Sequence, residues 1–167
     1  MRIRKPKNQK FYVDATHYVE LRSIPKSVHN RAVSLASNQV YEQPTTAEGY
    51  KKLQEKESIQ VQQTIDSGAV YAEELRYSLV GFLLPDDSGS VSSDGMTKEQ
   101  MMEFIDYADD DLDMVISQAV DIMSGNDPDE KDWARLAKIG ITPQMMGYSD
   151  AEVKFPVKNP LEDGVIV

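Results

Sequence analysis

The 167-residue sequence contains no cysteine, one tryptophan and two histidines. Without cysteine the chain can form no disulfide, no thiolate metal site and no thiol nucleophile. Two histidines alone are too few ligands for a closed structural zinc site. Apolar runs of only a few residues are too short to span a bilayer, and the basic N-terminus lacks the apolar segment of a signal peptide. We therefore expect a cytoplasmic protein with no membrane partner.

Motifs for common cofactors and metals are also missing. No glycine-rich phosphate loop occurs in the sequence. Acidic turns begin at Asp86 and Asp109, but Val91 and Met114 occupy the sixth position, where a calcium loop needs glycine. His17 and His29 are each interpreted as a lone surface histidine. We predict no catalytic residue, no cofactor and no metal site, and hence a protein that is not an enzyme.

Charge is distributed unevenly along this acidic chain, whose net charge is −10. Residues 1–31 carry eight Lys/Arg against two Asp/Glu, a balance of +6, whereas residues 86–130 carry fourteen Asp/Glu against Lys98, a balance of −13. Such asymmetry can steer a partner or favour head-to-tail self-association, although a charged face is more often simply solvated. Because phosphate repels an acidic chain, no nucleic-acid partner is expected.

The predicted fold class is mainly α with a short N-terminal β-hairpin, an α+β arrangement. We divide the chain into a basic N-terminal arm (1–9), a single domain (10–140) and an irregular C-terminal tail (141–167) that is ordered only where it docks. The alternation of apolar and polar residues puts Phe11 and Val13 on one face of a first strand and Val19 and Leu21 on one face of a second. Together they predict the hairpin. A helix follows from Pro25 to about residue 38.

The middle of the chain is predicted to contain the helix on which the core is built. Leu75, Leu79, Phe82 and Leu83 are three, four or seven residues apart, the spacing of one helical face, and Pro85 ends the pattern. Before it, residues 47–57 could form a short helix, and residues 58–63 either a third strand or an extended linker. Asp66 or Ser67 is expected to cap the central helix.

The second half is predicted to contain a small-residue loop (88–95) and three helices. The T-x-x-Q capping box at Thr97 begins the first helix, and the acids from Asp109 begin the second, which Gly125 ends. For the third we expect Asp127 as cap, Pro128 at the first position, and Gly140 as the end.

Methionine pairs are the candidates for partner contact, since methionine repacks easily. The predicted partner-binding residues are Met101, Met102, Met145, Met146 and Tyr148. Core packing is the default interpretation of the first pair. For the second pair, which lies outside the periodic segments, core packing and partner contact are evenly balanced.

Three segments in order resemble the tail assembly chaperones of long-tailed, siphovirus-type bacteriophages. They are YVELRSIPKSVHNRAVSLA (18–36), LVGFLLPDDSGS (79–90), and the stretch from Thr97 to Val120 that begins TKEQMMEFIDYADDD. The match departs at Phe82, where relatives often have tryptophan, and in the proline-rich tail. The resemblance implies a non-enzymatic protein of the host cytoplasm that binds the tape-measure protein, with tail-tube subunits as a further candidate partner.

Two other functions remain open at this point. The opposite charges of the two regions and the long tail also suit a virion structural protein or head-to-tail adaptor. A third hypothesis is an acidic protein that mimics nucleic acid and binds a basic host enzyme.

Overall fold

A computed structural model describes residues 5–41, 61–149 and 152–153 of the chain. Its strands are β1 (Asn8–Tyr12), β2 (Tyr18–Arg22), β3 (Ser37–Tyr41), β4 (Val61–Ile65), β5 (Leu79–Asp86) and β6 (Gly89–Ser92). Its helices are α1 (Lys26–Ala36), α2 (Ser67–Ser78), α3 (Lys98–Ile105), α4 (Asp110–Met123) and α5 (Glu130–Lys138), and a 3-10 turn spans Gln144–Met146. No helix within these described ranges combines the length and apolarity needed to cross a membrane.

A four-stranded antiparallel sheet in the order β1-β2-β5-β6 carries the core on one face. Phe11 pairs with Val19, which pairs with Phe82 on its other side, and these three side chains are at most 3% exposed. The buried face of α4, including Ile116 and Ala119, joins the same core cluster. Burial of each large apolar side chain contributes about 1.5–3 kcal/mol, so the sheet and α4 together supply much of the stability.

The N-terminal hairpin is confirmed. β1 and β2 pair in register, and Phe11, Val19 and Leu21 are fully buried while intervening residues remain partly or fully exposed. In the turn, Asp14 accepts hydrogen bonds from the backbone N–H groups of Thr16 and His17. This Asx turn supplies the connection that lacks an Asn-Gly or Asp-Gly pair.

The predicted central helix is wrong in its second half. The helix α2 begins at Ser67 after Asp66, whose side chain accepts from the Ala69 amide, but it ends at Ser78. From Leu79 the chain becomes β5, which lies between β2 and β6 in the sheet. Pro85 is tolerated because the pairing with β2 stops at Leu83, so one side of β5 is free at the proline.

A β-bulge explains why this strand has helical spacing. The register with β2 shifts between Glu20 and Leu21, so that Val80 has no partner and is 40% exposed. The extra residue restarts the alternation, and Leu79 and Phe82 both face the core although they are three residues apart. A strand with one bulge therefore imitates the i, i+3 spacing of a helix.

The fold class predicted as mainly α is also wrong. The protein is α+β, with the four-stranded sheet, a second antiparallel pair formed by β3 and β4, and five helices in the described part of the chain. The predicted loop at 88–95 contains strand β6, which returns from a turn where Asp86 accepts from the Ser88 amide. Gly89, with φ of 127°, completes this turn because L-residues rarely adopt that conformation.

The predictions around the pair β3 and β4 were only partly correct. The helix α1 is confirmed, but the chain enters β3 at Ser37 rather than continuing as helix. Of the alternatives for 58–63, a strand is present from Val61. The short helix predicted at 47–57 lies outside the described residues.

Local signals predicted the last three helices well, with one error. Thr97 forms the expected capping box with Gln100, Asp109 caps α4, and Gly125 follows its end in a left-handed conformation. The cap of α5 is Asp129 rather than Asp127, with Asp132 completing a second capping box.

The segment after Gly140 docks on the domain. Ile141 and Met146 are 4% and 0% exposed, and the Gln9 side-chain amide on β1 donates to the Met146 carbonyl at 3.0 Å. The Tyr148 ring meets Trp133 edge-on with centroids 5.2 Å apart. The predicted tail therefore begins with a docked turn, while residues 154–167 lie outside the described part.

Candidate functional site: an acid-rimmed groove

A groove of about 480 Å³ opens where the sheet meets the start of α4. We call it the acid-rimmed groove. Its apolar lining includes Val13, Leu84, Phe104, Leu112, Val115, Ile139 and Ile141, contributed by the sheet, α3, α4 and the chain after α5. Because these elements are distant in sequence, only the folded chain assembles this surface.

Tyr107 stands at the edge of the groove and is 85% exposed. It also lines a second groove of about 530 Å³, together with Phe104, Met96 and Glu103. Phe104 lines both depressions and stacks on Phe82 of the core, with centroids 5.1 Å apart. The exposed Tyr107 suits an interface anchor because tyrosine buries a large area at low entropic cost.

Carboxylates surround these depressions. Asp14, Asp86, Asp87, Asp109 and Asp111 line the first groove and Asp94 and Glu103 the second, and neither lining includes a lysine or arginine. The backbone amides of His17 and Thr16 lower the pKa of Asp14 to about 2, so this carboxylate is ionised at neutral pH. The surface is therefore apolar at its floor and negative at its rim.

The five residues predicted for partner contact do not come together. Met101 and Met146 are 7% and 0% exposed and belong to the core, while Met102 and Met145 are half-buried and pack against it. The half-buried Tyr148 donates its hydroxyl to Asp127 at 2.6 Å. None of the five lines either groove.

Comparison with protein-family models, curated proteins and solved structures gives no match.

His17 is not the lone surface histidine that the sequence suggested. Its side chain is 16% exposed, and its ring bonds Asp14 through Nδ1 at 2.6 Å and Ser90 Oγ through Nε2 at 2.7 Å. The Asp14-x-x-His17 spacing was the available signal for half of this cluster, since an Asx turn brings those side chains together. Ser90, 73 residues further along, carried no signal of its own.

His29 takes part in a different arrangement. Its Nδ1 bonds Glu74, which is 4% exposed, and the other oxygen of Glu74 accepts from Ser124 Oγ at 3.0 Å. Both partners bond the carboxylate, and the serine also donates to the Val120 carbonyl. This cluster therefore joins α1, α2 and the end of α4 rather than preparing a nucleophile.

No group of three or more histidine or acidic side chains in the described ranges is arranged to hold a metal ion. Two carboxylates near the grooves accept hydrogen bonds from the backbone instead. Asp109 caps α4 by accepting from the Leu112 amide, and Asp86 holds the β5–β6 turn.

Proposed function

We propose that this protein is a tail assembly chaperone of a long-tailed bacteriophage. It binds the tape-measure protein in the host cytoplasm during tail assembly and catalyses no step of that assembly. Tail-tube subunits and a second copy of the chain are further candidate partners. The observation that carries the proposal is the acid-rimmed groove with Tyr107 exposed at its edge.

The shape and composition of the groove favour an elongated apolar partner. Side chains repeating at helical spacing on the partner would enter the two depressions, whose linings share Phe104 and Tyr107. Of the apolar lining, Phe104, Leu112 and Ile139 are half-buried and can contact a partner, whereas Leu84, Val115 and Ile141 are buried beneath them. A tape-measure protein, as a long helical polymer with apolar stripes, presents the matching surface.

The sign of the rim adds a condition on the partner. With seven carboxylates and no lysine or arginine in the two linings, partner segments with basic residues beside the apolar stripe are favoured. The net charge of −10 also helps to keep a complex with an aggregation-prone partner soluble.

The family resemblance supports the proposal through the order of its segments, although the second segment begins with a strand rather than the predicted helix. Residues 18–22 of the first segment form strand β2, and the apolar run that opens the second segment is strand β5 rather than a helix end. The turn at Asp86 in that second segment connects β5 to β6. All three segments contribute to one sheet and the helices beside it.

Co-expression with the tape-measure protein encoded by the same phage tests this function. We expect the two proteins to co-purify, and we expect Tyr107→Ser to reduce the recovery of the tape-measure protein. The matched control is Leu35→Ser, because Leu35 is also an exposed apolar side chain, at 64%, but lies on α1 and lines neither groove. Equal recovery with both variants would contradict the assignment of the groove.

A virion structural or head-to-tail adaptor role is the second candidate, favoured by the opposite charges of the N-terminal and central regions. Mass spectrometry of purified particles separates the two functions. A chaperone leaves the finished tail and is absent from virions, whereas an adaptor is present in a fixed copy number.

A further inference from the structure

Asp14, His17 and Ser90 form a connected row of hydrogen bonds at the end of the sheet. Asp14 and His17 belong to the β1–β2 turn, and Ser90 is the second residue of β6. The Asp14 carboxylate lies 2.6 Å from His17 Nδ1, and His17 Nε2 lies 2.7 Å from Ser90 Oγ. The acid and the serine thus bond opposite nitrogens of one imidazole ring.

The contacts of Asp14 favour one tautomer of the His17 ring. Its Oδ1 accepts from the backbone amides of Thr16 and His17 at 2.8 and 2.7 Å, so that Oδ2 faces the ring. A carboxylate at this distance accepts the Nδ1 proton of a neutral imidazole. The lone pair of Nε2 then points to Ser90, whose hydroxyl donates to it, and this is the tautomer that a general base requires.

The burial of the three groups also suits nucleophilic chemistry. The His17 ring is largely covered, whereas Ser90 is exposed to molecules in solution. Ser90 pairs with Pro85 across the strands, and the half-buried side chains of Leu83 and Tyr18 continue the same face of the sheet. A substrate at Ser90 would therefore have an apolar surface beside the reacting hydroxyl.

We propose that Ser90 is a nucleophile activated by His17, with Asp14 as the positioning residue, and that it reacts with neutral carboxylic esters carrying an aromatic or other apolar group. Neutral esters are favoured because Asp14, Asp86 and Asp87 make this end of the sheet negative. The reactivity goes beyond the chaperone function, which needs no chemical step, and each can hold without the other.

The reaction is an acyl transfer followed by hydrolysis. Ser90 Oγ attacks the ester carbonyl while His17 Nε2 takes the hydroxyl proton. The bond between the carbonyl carbon and the alkoxy oxygen breaks, and the departing alkoxide receives the proton held by His17. The acyl group remains on Ser90 as an ester. A water molecule deprotonated by His17 then attacks this ester, releasing the carboxylic acid and restoring the serine hydroxyl.

Ser92 provides a matched control inside the same strand. It lies two residues from Ser90, is also exposed and faces the same side of the sheet, but its hydroxyl accepts from the Asp94 amide and has no bond to a histidine. Any difference in reactivity between the two serines therefore reports the histidine rather than exposure.

The experiment incubates the purified full chain with p-nitrophenyl acetate and locates the acetyl group by peptide mass spectrometry, while p-nitrophenol release gives the rate. We expect acetylation of Ser90 at a rate about a hundredfold or more above that of Ser92, the usual gain from a positioned general base. Ser90→Ala should abolish this phase, and Ser92→Ala should leave it unchanged.

Three further variants test the roles of the partners. His17→Ala should lower the labelling of Ser90 to the level of Ser92, and added imidazole should restore part of the rate, which a purely structural histidine would not allow. Asp14→Asn should slow the labelling of Ser90, and Asp14→Glu, which keeps a carboxylate, should slow it less, because the carboxylate holds the ring with Nε2 toward Ser90. Circular dichroism identifies variants that remain folded.

The proposal is overturned by either of two results on folded protein. One is acetylation of Ser90 no faster than that of Ser92. The other is labelling of Ser90 that persists undiminished in both His17→Ala and Asp14→Asn. In either case the row of hydrogen bonds would serve only to hold the two hairpin ends together.

Discussion

Replacing Gly147 with alanine is predicted to weaken the docking of the C-terminal segment on β1 through two separable effects. Gly147 has φ of 86°, a left-handed conformation that costs an alanine about 1–2 kcal/mol. A Cβ atom would also lie 2.2 Å from Gln9 Nε2, which donates to the neighbouring Met146 carbonyl. The glutamine amide must move away, and the loss of its hydrogen bond costs about 0.5–1.5 kcal/mol. The expected loss of stability is therefore roughly 1.5–3.5 kcal/mol.

Gly140→Ala is the matched control for this substitution. Gly140 has nearly the same φ, 81°, but no atom lies within 4 Å of an added Cβ, so only the conformational cost of about 1–2 kcal/mol applies. Urea unfolding of both variants, each also in a Gln9→Ala background, forms a double-mutant cycle. In that background Gly147→Ala should cost no more than Gly140→Ala.

Two results would refute this reasoning. Equal destabilisation by Gly147→Ala and Gly140→Ala in the otherwise unmodified chain would show that the contact with Gln9 is not made. An unchanged cost of Gly147→Ala after Gln9→Ala would show that the glutamine is not the obstacle. For a chain of this size each 1 kcal/mol lowers the melting temperature by about 2–4 °C, so thermal unfolding gives an independent reading.

Three further predictions concern the fold and its pH dependence. Leu84→Ala should lower the free energy of unfolding by about 2–5 kcal/mol, because Leu84 is fully buried. Leu83→Ala should lower it distinctly less, because Leu83 is half-buried on the opposite face of β5. Equal losses in urea unfolding would favour a helix over strand β5. Thr97→Ala should cost about 1 kcal/mol through loss of the α3 cap, and no change in the urea midpoint would contradict the capping box. Asp121 is partly exposed, but partial desolvation and, next, the charge of Glu74 raise its pKa above 3.8, so its ionised form opposes folding. The stability that this group contributes is fully present below pH 3.8 and is lost as pH rises through the folded-state pKa. Asp121→Asn should therefore stabilise the protein at pH 7 and have no effect near pH 3. Urea unfolding across that pH range checks this prediction.

Elements set by neighbouring residues could be predicted from the sequence. The capping box at Thr97 and the stop at Gly125 depend on side chains and glycine conformation within a few positions. The hairpin could be predicted because Phe11 and Val19 belong to strands with unbroken alternation.

The sheet could not be predicted in full because its decisive feature depends on tertiary pairing. Leu79 and Phe82 have helical spacing only because a bulge against β2 leaves Val80 without a partner, and nothing in the local sequence specifies that bulge. Because β5 lies in the middle of the sheet, assigning it to a helix left only the N-terminal hairpin as predicted sheet. The predicted fold class was therefore mainly α.

The candidate sites could not be assembled from the sequence for the same reason, although the Asp14-x-x-His17 spacing was a signal for part of one. Groove residues such as Val13 and Leu112 are 99 positions apart in the sequence. Ser90 meets His17 only because β2 and β6 lie on either side of β5. Methionine pairs, by contrast, were visible in the sequence, but Met101 and Met146 are buried in the core.

The affinity of the purified protein for apolar, basic helical fragments of the tape-measure protein tests the central claim most directly. We expect saturable binding that Tyr107→Ser weakens about tenfold or more and that Leu35→Ser leaves unchanged. Added salt should weaken this binding because it screens the acidic rim. Absence of binding to every fragment, or equal affinity for wild type and Tyr107→Ser, would contradict the central claim.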